Sequence, residues 1–176
     1  EAAKDLGSLG LKVFAAVLPL GLPGAYGTYR GASRRVDAAN KYQTQMEALA
    51  GNAQANEMLE EDHKELVEKM TEDGPIKDVY VKVEKLNEVY QEETEAVMEE
   101  LGVADEYENA ADTDGFVKIP IGTYTAKIAR NPEAHEKLSM HSKWDLEAYT
   151  PAEAKIAQEE QAENIEAEFN KAIEDT

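Results

Sequence analysis

Apolar positions recur at intervals of three and four residues in the chain that follows residue 35. The first series predicts a helix with one apolar face, made of Val36, Ala39, Tyr42, Met46, Leu49, Ala53 and Leu59. The pair Asp62 and Glu65 has the spacing of a capping box, so we expect a second helix to begin there. His63 lies among acidic residues of that helix, and we expect its side chain to be exposed.

Two short stretches follow a different, alternating pattern. Residues 76–83, IKDVYVKV, and residues 116–119, FVKI, each predict a short strand, and Pro120 ends the second one. Helical spacing lies between them and stops at Gly102, a residue suited to a helix C-terminus. A two-stranded sheet is stable only when other elements pack on it. We therefore predict a mainly α fold with a small two-stranded sheet.

The last stretch predicts a long C-terminal helix. Thr150, Pro151 and Glu153 suit its N-cap, its first position and its capping box. Its apolar residues form a narrow stripe, composed of Ile156, Ala162, Ile165, Phe169, Ala172 and Ile173. Such a stripe suits packing on the rest of the protein or on a partner helix, and we favour the first. Trp144, just before this helix, is expected in the core.

The front of the chain departs from all these patterns. Residues 6–29, hereafter the leader, read LGSLGLKVFAAVLPLGLPGAYGTY and carry one charged residue, Lys12. That length is enough to cross a bilayer, which takes about 20 apolar residues. Pro19 and Pro23 disfavour a single straight helix. The arginines that follow suit a lipid head-group interface.

Packing against the rest of the protein, or against another subunit, explains the leader equally well. The candidate membrane or partner contacts are Leu9, Leu11, Val13, Phe14, Val17, Leu18, Leu20, Leu22, Arg30, Arg34 and Arg35. The sequence thus divides into an apolar segment, residues 1–35, an α-rich body, residues 36–149, and a C-terminal helix, residues 150–176.

The front of the chain and the remainder also differ in net charge. The formal net charge is -19, yet residues 1–41 hold six Lys and Arg against three Asp and Glu. We therefore expect the acidic body to repel duplex nucleic acid, and the front to tolerate an anionic lipid surface. The chain starts at Glu1 rather than Met, which we interpret as the start of a fragment.

Few residues suggest chemistry. Cysteine is absent, so disulfides and thiolate sites are excluded. His135 and His141 are six positions apart, whereas the zinc-protease pattern needs two His four apart, so we expect a structural or exposed pair. No nucleophile elbow, phosphate-binding loop or dinucleotide fingerprint occurs. We expect no metal, no cofactor and no catalytic residue.

Three stretches in order, DGPIKDVYVKVEKL, DGFVKIPIGTYTAKIARNPEAHEKLSMH and YTPAEA, resemble a module of very large phage and prophage proteins. These include internal or ejection virion proteins and polyvalent proteins, some with a lytic transglycosylase domain elsewhere. The corresponding residues here are Val79, Tyr80 and Val81 with Leu86, then Ile119 and Pro120 with Tyr124, Ile128 and Ala129, then Thr150, Glu153 and Ala154. An acidic residue of the module's first motif is missing, since Lys82 and Val83 stand there.

The resemblance implies a non-enzymatic role in genome delivery. The protein would lie inside the virion and then enter the host cell envelope, with other virion proteins, copies of itself or the host membrane as partners. The alternative is a soluble interaction domain of a bacterial multidomain protein, in the cytoplasm. A third class, a muramidase-type enzyme, would require a catalytic Glu in a cleft, which the sequence does not show.

Overall fold

The computed structural model describes residues 32–113 and 115–175. This part is mostly helical, as predicted. Its helices are α1 Ala32–Ala55, α2 Glu60–Met70, α3 Val83–Tyr90, α4 Thr94–Glu100, α5 Ala104–Thr113, α6 Ile121–Thr123, α7 Pro132–Ser139 and α8 Pro151–Glu174. A 3-10 turn, Gln91–Glu93, joins α3 to α4, and a π-helical turn, Tyr124–Ile128, continues α6.

The sheet has three antiparallel strands rather than the predicted two. They are β1 Asp78–Lys82, β2 Phe116–Pro120 and β3 Ser142–Lys143, in the order β2-β1-β3. The third strand has only two residues, too few to produce an alternating pattern. It pairs with Tyr80 and Val81, so β1 becomes the central strand.

The main core lies where one face of the sheet meets the helices. The register places Val79 opposite Ile119 and Val81 opposite Val117, and all four side chains are buried. Larger fully buried side chains complete this core, namely Tyr42, Met46, Leu49, Ile76, Leu86, Met98, Ile121, Tyr124, Ile128 and Leu138. Trp144 is buried as expected, and its ring lies 5.1 Å from that of Tyr42, measured between centroids.

The second helix begins earlier than the sequence predicted. Leu59 is its N-cap and Glu60 its first residue, so Asp62 already lies inside the first turn and no capping box forms there. Leu59 is exposed, although we had placed it on the apolar face of the first helix. Residues 56–59 therefore separate α1 from α2.

The C-terminal helix starts as predicted. Thr150 is the N-cap, and its Oγ1 accepts a hydrogen bond from the backbone N of Glu153 at 3.1 Å. Pro151 occupies the first helical turn. Gly102, expected after a helix end, has a φ of 74°, the left-handed conformation that glycine adopts without strain.

Within residues 32–113 and 115–175, no helix has both the length and the apolarity needed to cross a membrane.

Candidate functional site

The predicted contact residues fall into two groups. Leu9, Leu11, Val13, Phe14, Val17, Leu18, Leu20, Leu22 and Arg30 lie outside the described residues. Arg34 and Arg35 lie in the first turns of α1, a helix that begins at Ala32. The proposed boundary after residue 35 thus falls inside α1.

Arg35 connects the start of α1 to the loop before α8. Its Nη2 donates a hydrogen bond to the backbone oxygen of Glu147 at 2.6 Å. Its guanidinium carbon lies 4.7 Å from the centroid of the Tyr149 ring, a cation–π distance. Arg34 is exposed on the same turn. Both positive charges therefore lie where the leader joins the body.

A small second core lies beside these arginines. Val36 and Ala39 of α1 pack with Ala154 of α8, and Tyr149 and Ala157 cover the contact. Alanines at two of the central positions allow the helices to approach closely. The first turns of α1 and α8 are therefore fixed to each other.

Beyond this contact, the apolar stripe of α8 is exposed, and our prediction that it packs on the body is wrong. The exposed fractions are 68% for Ile165, 65% for Phe169 and 58% for Ile173. The periodicity could not show where the body ends, and it also assigned Ile156 to the stripe although Ile156 lies on the opposite side of the helix from Ile165. We call Ile165, Phe169 and Ile173 the distal face of α8.

His63, predicted to be exposed, is fully buried. It lies one turn before Val67, another fully buried residue, on the side of α2 that faces the core. Its Nδ1 is 3.1 Å from Nδ2 of Asn56. Burial, and then the positive charge of Arg130, lower the pKa of His63 to about 4, so the ring is neutral at pH 7.

Arg130 completes the group around His63. Its Nη2 donates hydrogen bonds to Oδ1 of Asn56 at 3.0 Å and to the backbone oxygen of Met58 at 2.7 Å. These bonds hold the segment between α1 and α2 against the end of the π-helical turn. Sequence analysis missed this group, because Arg130 lies 74 positions from Asn56 and 72 from Met58 and no local pattern connects them.

His135 is also structural. Its Nδ1 lies 3.0 Å from the hydroxyl of Tyr124, and both side chains are buried. Burial lowers the pKa of His135 and raises that of Tyr124, so both stay neutral near pH 7. This pair connects α7 to the π-helical turn.

His141 lies in the loop between α7 and β3 and is half-buried, and its backbone oxygen accepts a hydrogen bond from the backbone N of Lys82 at 3.2 Å. Among the residues that the structure describes, no group of three His, Asp or Glu is arranged to hold a metal ion.

Known family models, curated proteins and solved structures yield no match to this chain. The distal face of α8 is accordingly identified as the candidate site from its own exposure.

Proposed function

We propose that this chain is a non-enzymatic structural module of a large phage or prophage virion protein that delivers the genome into the host. The observation that carries the proposal is that one chain combines an apolar segment with an acidic helical body. The described residues form an acidic, mainly helical body whose first helix begins at Ala32, and an apolar stretch precedes that helix in the sequence. A protein that leaves a capsid and meets a cell envelope needs apolar surface attached to a water-soluble carrier.

The resemblance to phage proteins supports the same proposal. Its motif residues Val79, Val81, Ile119, Tyr124 and Ile128 are all buried. Most residues of the likeness therefore build the core of the body, whereas Pro120 and Glu153 of the same motifs are exposed.

The buried histidines support a structural role. His63 and His135 each have a ring nitrogen within hydrogen-bond distance of another side chain, and each has a lowered pKa. A general acid–base must reach its substrate and exchange protons near the working pH. These two side chains are better suited to holding helices together.

The proposal is tested in phage particles released by prophage induction from the strain that carries the coding sequence. An antibody against this chain should detect its parent protein in DNA-filled particles and detect less of it after DNA ejection. Major capsid protein serves as the control, because it stays with the particle. Detection of the parent chain in the cytosol, and not in particles, would contradict the proposal.

The alternative, a soluble interaction domain of a bacterial multidomain protein, is favoured by one observation. The distal face of α8 presents three large apolar side chains to solvent, as partner-binding helices do. A cytosolic parent protein, in complex with another bacterial protein that dissociates when Phe169 is replaced by Asp, would support this alternative.

A further inference from the structure

The distal face continues the side of α8 that packs on α1. An α-helix turns by roughly 100° per residue, so Ile165 lies about three turns after Ala154 and on the same side. Ala154 is fully buried against α1, whereas Ile165, Phe169 and Ile173 are largely exposed. Apolar side chains on one side of α8 are thus covered at its beginning and uncovered at its end, with Gln158 and Gln161 between the two groups.

The leader is attached near the covered beginning of α8. It joins α1 at Ala32, one turn before Val36, which packs on α8. The distance along α8 from Ala154 to Ile165 is about 16 Å. A segment with the length of the leader covers about 36 Å even when fully helical, so it is long enough to follow the distal face.

Charge favours the leader over a second copy of α8. The leader contains Lys12 and no acidic residue, and Arg30 follows it, whereas α8 contains seven Glu and two Lys. By helical spacing, Glu166 and Glu168 border the distal face on its two sides. Two α8 helices packed together would bring their carboxylates into contact with each other, which is unfavourable.

We propose that the apolar leader docks on the distal face of α8 and covers Ile165, Phe169 and Ile173 in the protein free in solution. The contact hides apolar side chains of both segments from water, and it brings the positive charge of Lys12 towards the carboxylates of α8. This inference stands without the proposed function, because it concerns contacts within one chain.

Trypsin cleavage at Lys12 tests the proposal on the full chain. Lys12 is the single trypsin site between Lys4 and Arg30, so its cleavage reports access to the leader. We expect Phe169→Asp to speed cleavage at Lys12 by about tenfold, because an apolar docking contact is lost. The exposed position of Phe169 means that the body stays folded, which circular dichroism verifies.

Ile156→Asp is the matched control. Ile156 is 58% exposed on the same helix, but it lies on the opposite side from Ile165. The proposal expects its Lys12 cleavage rate to equal that of the wild type. Equal rates in all three proteins would overturn the proposal.

Two further measurements on the same three proteins test whether a second copy of the chain or a lipid surface covers the distal face of α8 instead of the leader. Sedimentation that shows a wild-type dimer, converted to monomer by Phe169→Asp with unchanged cleavage at Lys12, would overturn the proposal in favour of a second copy. Binding of the wild type to phosphatidylglycerol vesicles that is lost in Phe169→Asp would overturn it in favour of lipid. Wild-type monomers, with cleavage at Lys12 faster in Phe169→Asp and unchanged in Ile156→Asp, support it.

Discussion

At the scale of single residues, a few buried polar groups connect elements of the described part of the chain beside its apolar core. Asn56, His63 and Arg130 connect α1, α2 and the π-helical turn. Tyr42 and Ser142 connect α1 to β3 by a hydrogen bond of 2.9 Å between hydroxyls. Removing one partner of such a pair leaves the other buried without a bond, which costs about 1–3 kcal/mol.

His63 makes stability depend on pH. Its pKa is about 4 in the folded protein and near 6.5 in the unfolded chain, so the unfolded chain binds more protons between these values. Its contribution to stability is therefore complete above pH 6.5 and is lost as the pH falls to about 4. Between pH 7.5 and 4.5, the free energy of unfolding of His63→Gln should fall by about 2–3 kcal/mol less than that of the wild type. Urea unfolding at the two pH values measures this difference.

His141→Gln serves as the control for this experiment. Burial also lowers the pKa of His141, but this side chain is only half-buried, so its effect should be smaller. Carboxyl groups titrate in the same range, but they are identical in the three proteins and cancel in the comparison. Parallel stability curves for the wild type and His63→Gln would show that His63 is not buried as described.

Gly122 shows where a side chain cannot be added. A Cβ on Gly122 would lie 2.6 Å from Cγ of Glu68 and 2.8 Å from the backbone oxygen of Lys64. Because the second atom belongs to the backbone of α2, the two helices would have to separate. We expect Gly122→Ala to lower the free energy of unfolding by about 1–3 kcal/mol in urea.

Gly51→Ala is the matched comparison. Gly51 lies inside α1 with no atom within 4 Å of an added Cβ. Alanine there should raise the free energy of unfolding by about 0.5–1 kcal/mol, because alanine favours the helix over glycine. Opposite signs at the two glycines are the expected result, and equal signs would contradict the close approach of α2 and α6.

At the scale of elements, the attachment of α8 to the rest of the protein depends on the first turn of this helix. Pro151 and Ala154 are buried, whereas the rest of the helix is mostly exposed. The Thr150 cap and the contact with α1 therefore provide most of what fixes α8 to the body.

Thr150→Ala tests this dependence. The substitution removes the acceptor for the backbone N of Glu153, so we expect a loss of about 1–2 kcal/mol in thermal or urea unfolding. Thr44→Ala, at an exposed position inside α1, should change stability by less than about 0.5 kcal/mol. Comparable losses for the two variants would argue against a specific cap at Thr150.

At the scale of the whole molecule, charge opposes folding. The formal net charge is -19, and exposed ion pairs such as Lys85 with Glu88 and Lys137 with Glu133, at 2.9 Å each, contribute little. Like charges repel more strongly in the compact state than in the unfolded chain.

Salt should therefore stabilise the protein. Raising the ionic strength from about 0.01 M to about 0.3 M shortens the screening length several-fold, and we expect the free energy of unfolding to rise by on the order of 1 kcal/mol. NaCl and KCl should act alike, since screening depends on ionic strength. A fall in stability with salt would mean that attractive ion pairs outweigh the repulsion.

Local sequence patterns determined much of the fold. The spacing of Val36, Tyr42 and Leu49 predicted α1, and the alternation around Val79 predicted β1. Thr150 with Pro151 located the start of α8. These features depend on residues close in sequence, whose periodicity and capping chemistry act on the backbone directly.

Only the tertiary structure decided which surfaces are covered. The short strand β3 and the surroundings of His63, which include Arg130, depend on residues far away in the sequence. The distal face of α8 is exposed because no described element packs on it. An apolar stripe has the same sequence whether or not another element packs on it. The sequence by itself therefore determined the elements and their apolar faces, whereas the contacts between distant segments decided which faces became core.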